Sequence, residues 1–99
     1  VKADTFAVIP QNLSGYDVPV TPGYYSYYDA GAMTFNLPAI SSVPLGYRYV
    51  FKNRSADSLT VAPTGSDEVD GSNAAIVLSQ GEVLSIVRNL SEWIIITQQ

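Results

Sequence analysis

Cysteine and histidine are both absent from the 99 residues. Without cysteine there is no disulfide framework, no thiolate zinc site and no cysteine nucleophile. Without histidine, every Ser-His and Cys-His catalytic arrangement is excluded, and the commonest metal ligand with it. Charge is scarce as well. Five Lys+Arg stand against nine Asp+Glu, only 14% of residues are charged, and the formal net charge is −4. An acidic chain without clustered Lys and Arg suits phosphate backbones poorly, so no nucleic-acid partner is expected. No apolar run approaches the roughly 20 residues that cross a bilayer, so membrane insertion is not expected. No basic start leads into an apolar stretch, so no signal peptide is read, although the first residue is Val1 rather than Met.

What the chain does have is apolar and aromatic: 46% hydrophobic residues, seven Tyr, seven Gly and six Pro. Its length suits one domain. So short a chain buries only roughly two-thirds of the surface its unfolded form exposes. With no disulfide to help, it would gain by burying more against copies of itself or a larger body.

Composition changes near Pro44. Pro10, Pro19, Pro22, Pro38 and Pro44 lie at or before it, with only Lys2, Asp4, Asp17 and Asp29 as charges. Proline fixes φ, removes a ladder donor and extends its predecessor. Residues 1–44 therefore read as extended Pro/Tyr-rich pieces and residues 45–99 as a compact β-module, within one domain overall. Helical periodicity is nearly absent, and no internal repeat is visible. Strands are expected at residues 5–9, 17–20, 24–28, 33–37, 47–52, 59–62, 75–78, 82–88 and 93–97. Met33, Phe35 and Leu37 share one face, as do Tyr47, Tyr49 and Phe51, with Arg48, Val50 and Lys52 opposite. Turns every 8–12 residues predict an all-β fold, a small antiparallel β-sandwich or barrel. Asn89-Leu90-Ser91 is short enough for a hairpin turn. The strands on either side of it are apolar on both faces, so one face needs a second layer or a neighbouring subunit.

Few residues suggest chemistry. Asp67-Glu68-Val69-Asp70-Gly71, with Asn73, is the one dense group of hard ligands. It reads as a calcium loop or as a solvated turn whose carboxylates cap local N–H groups, and the missing EF-hand spacing favours the turn. No cofactor or metal is expected. Nine acids always offer pairs for glycoside hydrolysis, but so small a domain lacks room for a deep cleft. No Ser-x-x-Lys spacing or phosphate loop occurs, and no enzymatic activity is expected. Asn-x-Ser triplets at Asn12, Asn53 and Asn89 read as chance in a Ser-rich chain. The run Gly23-Tyr24-Tyr25-Ser26-Tyr27-Tyr28-Asp29 is the most unusual feature. As a strand it puts Tyr24 and Tyr28 on one face and Tyr25 and Tyr27 on the other. Tyrosine suits protein interfaces and sugar stacking alike, so these four are the candidate partner contacts.

From Leu45 onward the chain resembles a module that recurs in tailed-phage virion proteins. The resemblance rests on Tyr49-Val50-Phe51-Lys52-Asn53, then Leu59-Thr60-Val61, then Pro63-Thr64-Gly65-Ser66-Asp67-Glu68-Val69-Asp70-Gly71. Leu78-Ser79-Gln80-Gly81-Glu82-Val83 and Trp93-Ile94-Ile95 complete it. It covers a little over half of the chain and lies in the order and spacing of these pieces. It implies a β-structure that trimerises about a threefold axis, with Val69, Trp93, Ile94, Ile95 and Ile96 at the subunit interface. Val69 reads equally well as a buried loop anchor within one subunit. The function implied is a phage capsid decoration (cement) protein on the outer surface of the virion. Its residues 1–44 would dock on the major capsid protein or another virion protein. The alternative is a tail-fibre, receptor-binding domain that contacts host-surface glycan through the tyrosines. A small glycan-cleaving or glycan-binding module is a third reading.

Overall fold

A computed structural model describes residues 5–10 and 15–99, with the backbone alone at Thr5 and Phe6. The Asn12 triplet and the charges Lys2 and Asp4 lie outside the described residues. Nine strands follow one another: β1 (Thr5–Ile9), β2 (Tyr16–Asp17), β3 (Gly23–Tyr27), β4 (Met33–Asn36), β5 (Arg48–Asn53), β6 (Leu59–Ala62), β7 (Ile76–Leu78), β8 (Val83–Arg88) and β9 (Trp93–Gln98). A 3-10 turn at Ile40–Ser42 is the one helical element among the described residues. All six prolines fall outside the strands, as the missing N–H requires. The fold is all-β.

The expected antiparallel arrangement needs correction, because the sheets are mixed. Sheet 1 runs β1-β3-β5-β8-β9 and sheet 2 runs β2-β4-β6-β7. β1, β3 and β5 are mutually parallel, as are β2, β4 and β6, and only the β5–β8, β8–β9 and β6–β7 pairs are antiparallel. The turns between the first six strands do not fold the chain back on itself. They carry it across to the opposite sheet, so each strand pairs with the strand two places along. Parallel neighbours need a long crossover, and here a strand of the other sheet serves as that crossover. The result is a flattened coil of three rungs, closed by the antiparallel strands at its far side. Thr5, Gly23 and Tyr49 stack in register at intervals of 18 and then 26 residues. Unequal crossings hide this structural repeat from the sequence.

The sheets face each other across one core. Tyr25, Tyr27, Tyr49, Phe51, Leu84, Ile86 and Trp93 of sheet 1 meet Met33, Phe35, Leu59, Val61 and Leu78 of sheet 2, all buried. Phe35 is the aromatic hinge: its ring lies 5.9 Å from Phe51, 6.3 Å from Tyr27 and 5.3 Å from Tyr16. The buried tyrosines aim their hydroxyls at the crossings, where carbonyls would otherwise lack donors. Tyr25 donates to the Thr21 carbonyl at 2.6 Å, Tyr27 to the Gly31 carbonyl at 2.5 Å, and Tyr49 to the Val20 carbonyl at 2.5 Å. Gly31 takes φ +95°, a backbone state costly to a residue with a Cβ.

The accessible surface is 5365 Å², against about 5,500 Å² expected for a folded monomer of this mass. The radius of gyration is 12.5 Å, against about 12.6 Å expected. One chain thus completes its own interior.

Candidate functional site

The Tyr run divides as its alternation predicts. Tyr25 and Tyr27 are buried, whereas Tyr24 is 43% and Tyr28 51% exposed. The expectation that all four contact a partner is therefore corrected. Tyr25 and Tyr27 fill the core and have no surface to offer, and only Tyr24 and Tyr28 remain outward. Burial raises the phenol of Tyr25 to about 12, with Tyr16 adding to the effect, and burial also raises Tyr49. Burial raises Tyr27 as well, with the Asp29 and Asp57 carboxylates adding to it.

The loop after β6 folds over the open edge of β9. Trp93 N–H donates to the Glu68 carbonyl and Asp70 N–H to the Trp93 carbonyl, both at 2.8 Å, so Val69 bridges Trp93 like a short parallel strand. Asp70, at φ +50°, then accepts the Ile95 N–H on Oδ1 at 3.0 Å. Asp67 Oδ2 accepts the Ile40 N–H at 2.8 Å, and Glu92 Oε1 accepts the Gly71 N–H at 2.6 Å. Asn73 Nδ2 ties the Gly65 and Asp67 carbonyls together. The carboxylates of Asp67, Asp70 and Glu92 thus cap backbone donors. Among the described residues no group of three or more acids converges as a metal site would require. This latch puts Val69 and Trp93 inside the subunit. Both are buried, and the Trp93 ring stands edge-on to Tyr49 at 5.5 Å. Their expected place at a subunit interface is corrected accordingly. Of the remaining three, Ile94 and Ile95 are half-buried and Ile96 is 53% exposed at a bulge in the β8–β9 ladder.

Two further features had only partial signals in the sequence. The first is the outer face of sheet 1. Pairing lines up Val8, Ser26, Lys52 and Val83 in one row, and Tyr24, Val50, Ser85 and Thr97 in the next. A third row holds Arg48, Val87 and Ile94. Arg48 Nε donates to Ser85 Oγ at 3.0 Å. The rows mix five aliphatic side chains with Tyr24, two serines, a threonine and two cations and, among the described residues, hold no acid. The second feature is an apolar tip. Leu45, ahead of β5, is 60% exposed, and Leu90, in the β8–β9 turn, is 76% exposed. Gly46 N–H donates to the Arg88 carbonyl, and the Arg88 guanidinium donates to the Leu90 carbonyl at 2.6 Å, so the two turns share one end of the molecule. A leucine inside Pro44-Leu45-Gly46 or Asn89-Leu90-Ser91 was the available sign, since turns favour polar residues.

Of the Asn-x-Ser triplets, Asn53 is buried and donates Nδ2 to the Asp57 and Leu78 carbonyls at 2.7 and 2.9 Å, which leaves it no room for a glycan. Asn89 is exposed. No protein-family model matches the chain, and no curated protein matches it.

Proposed function

We propose that the chain is a structural protein of a phage virion, a trimeric decoration protein that stabilises the head by binding the major capsid protein. The observation that carries this reading is the outer face of sheet 1, where exposed and half-buried aliphatic side chains surround two cations on an otherwise acidic, self-completed fold. A wet sheet face is mostly polar, whereas here five of the eleven described residues in the three rows are aliphatic and none is acidic. The order of motifs from Leu45 to Ile95 that resembles phage virion modules supports the same reading. A protein that binds only the assembled shell stabilises it by mass action, without chemistry.

The test is location and copy number on purified particles, read by electron microscopy and quantitative gel analysis. Hundreds of copies on the head are expected, and heads stripped of the protein should rupture at lower temperature. A few copies confined to the tail would replace this reading with the second one, a receptor-binding domain of a tail fibre. The outward rings of Tyr24 and Tyr28 favour that alternative to the extent that they suit glycan stacking. Absence from particles would end both.

A further inference from the structure

Resting on the trimeric reading above, we propose that sheet 1's outer face is the surface by which one copy of the chain takes the next. It seats the end of its neighbour where Leu45, Leu90 and Glu68 stand. On this face Val8 is 57% exposed, and Val50, Val87 and Ile94 are half-buried around the cations Arg48 and Lys52. Among the described residues no carboxylate pairs with either cation. The complementary chemistry exists on the same molecule. The end that exposes Leu45 and Leu90 also carries the acidic latch, where the carbonyl of the exposed Glu68 accepts from the N–H of Trp93, the residue after Glu92. Sheet 2's outer face is a poorer counterpart, since its one acid, Asp17, accepts from Asn36 Nδ2 at 3.1 Å among threonines.

Symmetry decides between the ways two copies can meet. A two-fold contact of this face with itself would press Arg48 and Lys52 against their own copies, with like charges opposed. A head-to-tail contact places the cations on carboxylates and the valines on leucines. Head-to-tail contacts that close make rings, and three copies form the smallest ring they close. The −4 chain therefore repels neighbours in general yet attracts them in one orientation.

The test is sedimentation of the full chain, alone and as Lys52→Glu and Glu68→Lys, with circular dichroism to verify folding. Lys52→Gln substitutes if the reversal at this half-buried site prevents folding. The wild type should sediment as a trimer whose dissociation constant rises with salt. Each variant should need about tenfold more protein to assemble. The double variant Lys52→Glu/Glu68→Lys should reassemble, because every contact in the ring then again sets opposite charges against each other. A trimer indifferent to both substitutions would overturn this contact while leaving the trimeric reading intact. Sensitivity to Lys52→Glu with Glu68→Lys silent would overturn it in favour of a two-fold contact. A wild-type monomer at roughly 100 μM, well above the range of specific assembly, would overturn both.

Discussion

The two outer faces of the molecule are built on the same coil and dressed differently. On sheet 2 the outward residues include Asp17, Thr34, Asn36 and Thr60, short polar side chains that hydrogen-bond to water or to each other. On sheet 1 the same rungs turn out Val8, Tyr24 and Val50 beside Ser26, Arg48 and Lys52, and beyond them Val83, Val87 and Ile94 beside Ser85 and Thr97. Stacked rungs impose this consistency, because parallel strands in register place like positions in rows. The difference is the reason we place the proposed partner on sheet 1. Interior and latch are closed within one chain.

That contrast presupposes an interior closed within one chain, which Trp93→Ala would test most severely. Removing a buried indole from between the sheets should cost about 3–5 kcal/mol, equivalent to a fall of roughly 12 °C or more in melting temperature for a domain this size. The loss should be the same at every protein concentration. A loss that grows on dilution would return Trp93 to a subunit interface. Trp93→Phe should cost much less than Trp93→Ala, because it also removes an indole Nε1 that is buried without a hydrogen-bond partner.

Asn53 joins the two sheets at the end opposite the leucines. It sits in β5, its amide reaches the Leu78 carbonyl of β7, and its Oδ1 accepts the Ser55 N–H at 2.9 Å. Asn53→Ala would leave buried donors and acceptors unpaired, at about 2–3 kcal/mol. Denaturant titration should show this loss with an unchanged slope. Asn53→Asp should lose stability too, since it replaces two donated bonds with a buried charge.

Much of this architecture was legible in local pattern. The alternation of Met33, Phe35 and Leu37, and of Tyr49 and Phe51, identified inward faces because strand side chains alternate strictly. The five- or six-residue β-branched stretches located nearly every strand. Pairing was not legible. A turn that crosses between sheets and a turn that closes a hairpin use the same Gly, Pro and Asn, so nothing in residues 10–47 distinguishes parallel from antiparallel. The site was legible in part. Counting apolar residues in β9 predicted two covered faces, but within one chain Trp93 is buried, Ile94 and Ile95 are half-buried and Ile96 is exposed, and the loop that delivers Val69 covers the edge of the strand, on a course set by three carboxylate caps. Tyr25 and Tyr27 stood among the candidate contacts because tyrosine suits interfaces, yet they pack inward and their hydroxyls serve the crossings.

Alkaline pH probes the inward tyrosines. An unfolded tyrosine ionises near 10.0, whereas burial holds Tyr25 protonated to about 12. The folded state therefore binds more protons than the unfolded one above pH 10. Stability from these phenols is fully present below that pH and is lost as pH climbs toward 12. Melting temperature should hold through pH 9 and then fall, with phenolate absorbance appearing in step with unfolding. Tyr25→Phe keeps the ring stacked on Tyr49 at 6.1 Å and removes one late-titrating group, so it should move the alkaline midpoint upward. Unfolding that begins well below pH 9 would assign the alkaline limb to other groups.

The smallest change in stability comes from the sharpest comparison. Val8 on the outer face of sheet 1 and Val77 on that of sheet 2 are matched: both lie on edge strands, at 57% and 55% exposure. An aspartate at either position meets water in the isolated chain, so Val8→Asp and Val77→Asp should each shift stability by less than about 0.5 kcal/mol. Their effects on assembly should differ. At Val8 a carboxylate would be desolvated against the acidic, leucine-bearing end of the next copy, and association should weaken by about tenfold or more. At Val77 it would remain in water, and sedimentation should match the wild type. Equal effects at the two valines would mean that the polar dress of sheet 2 does not mark the free side, and the contrast between the faces would lose its meaning for assembly.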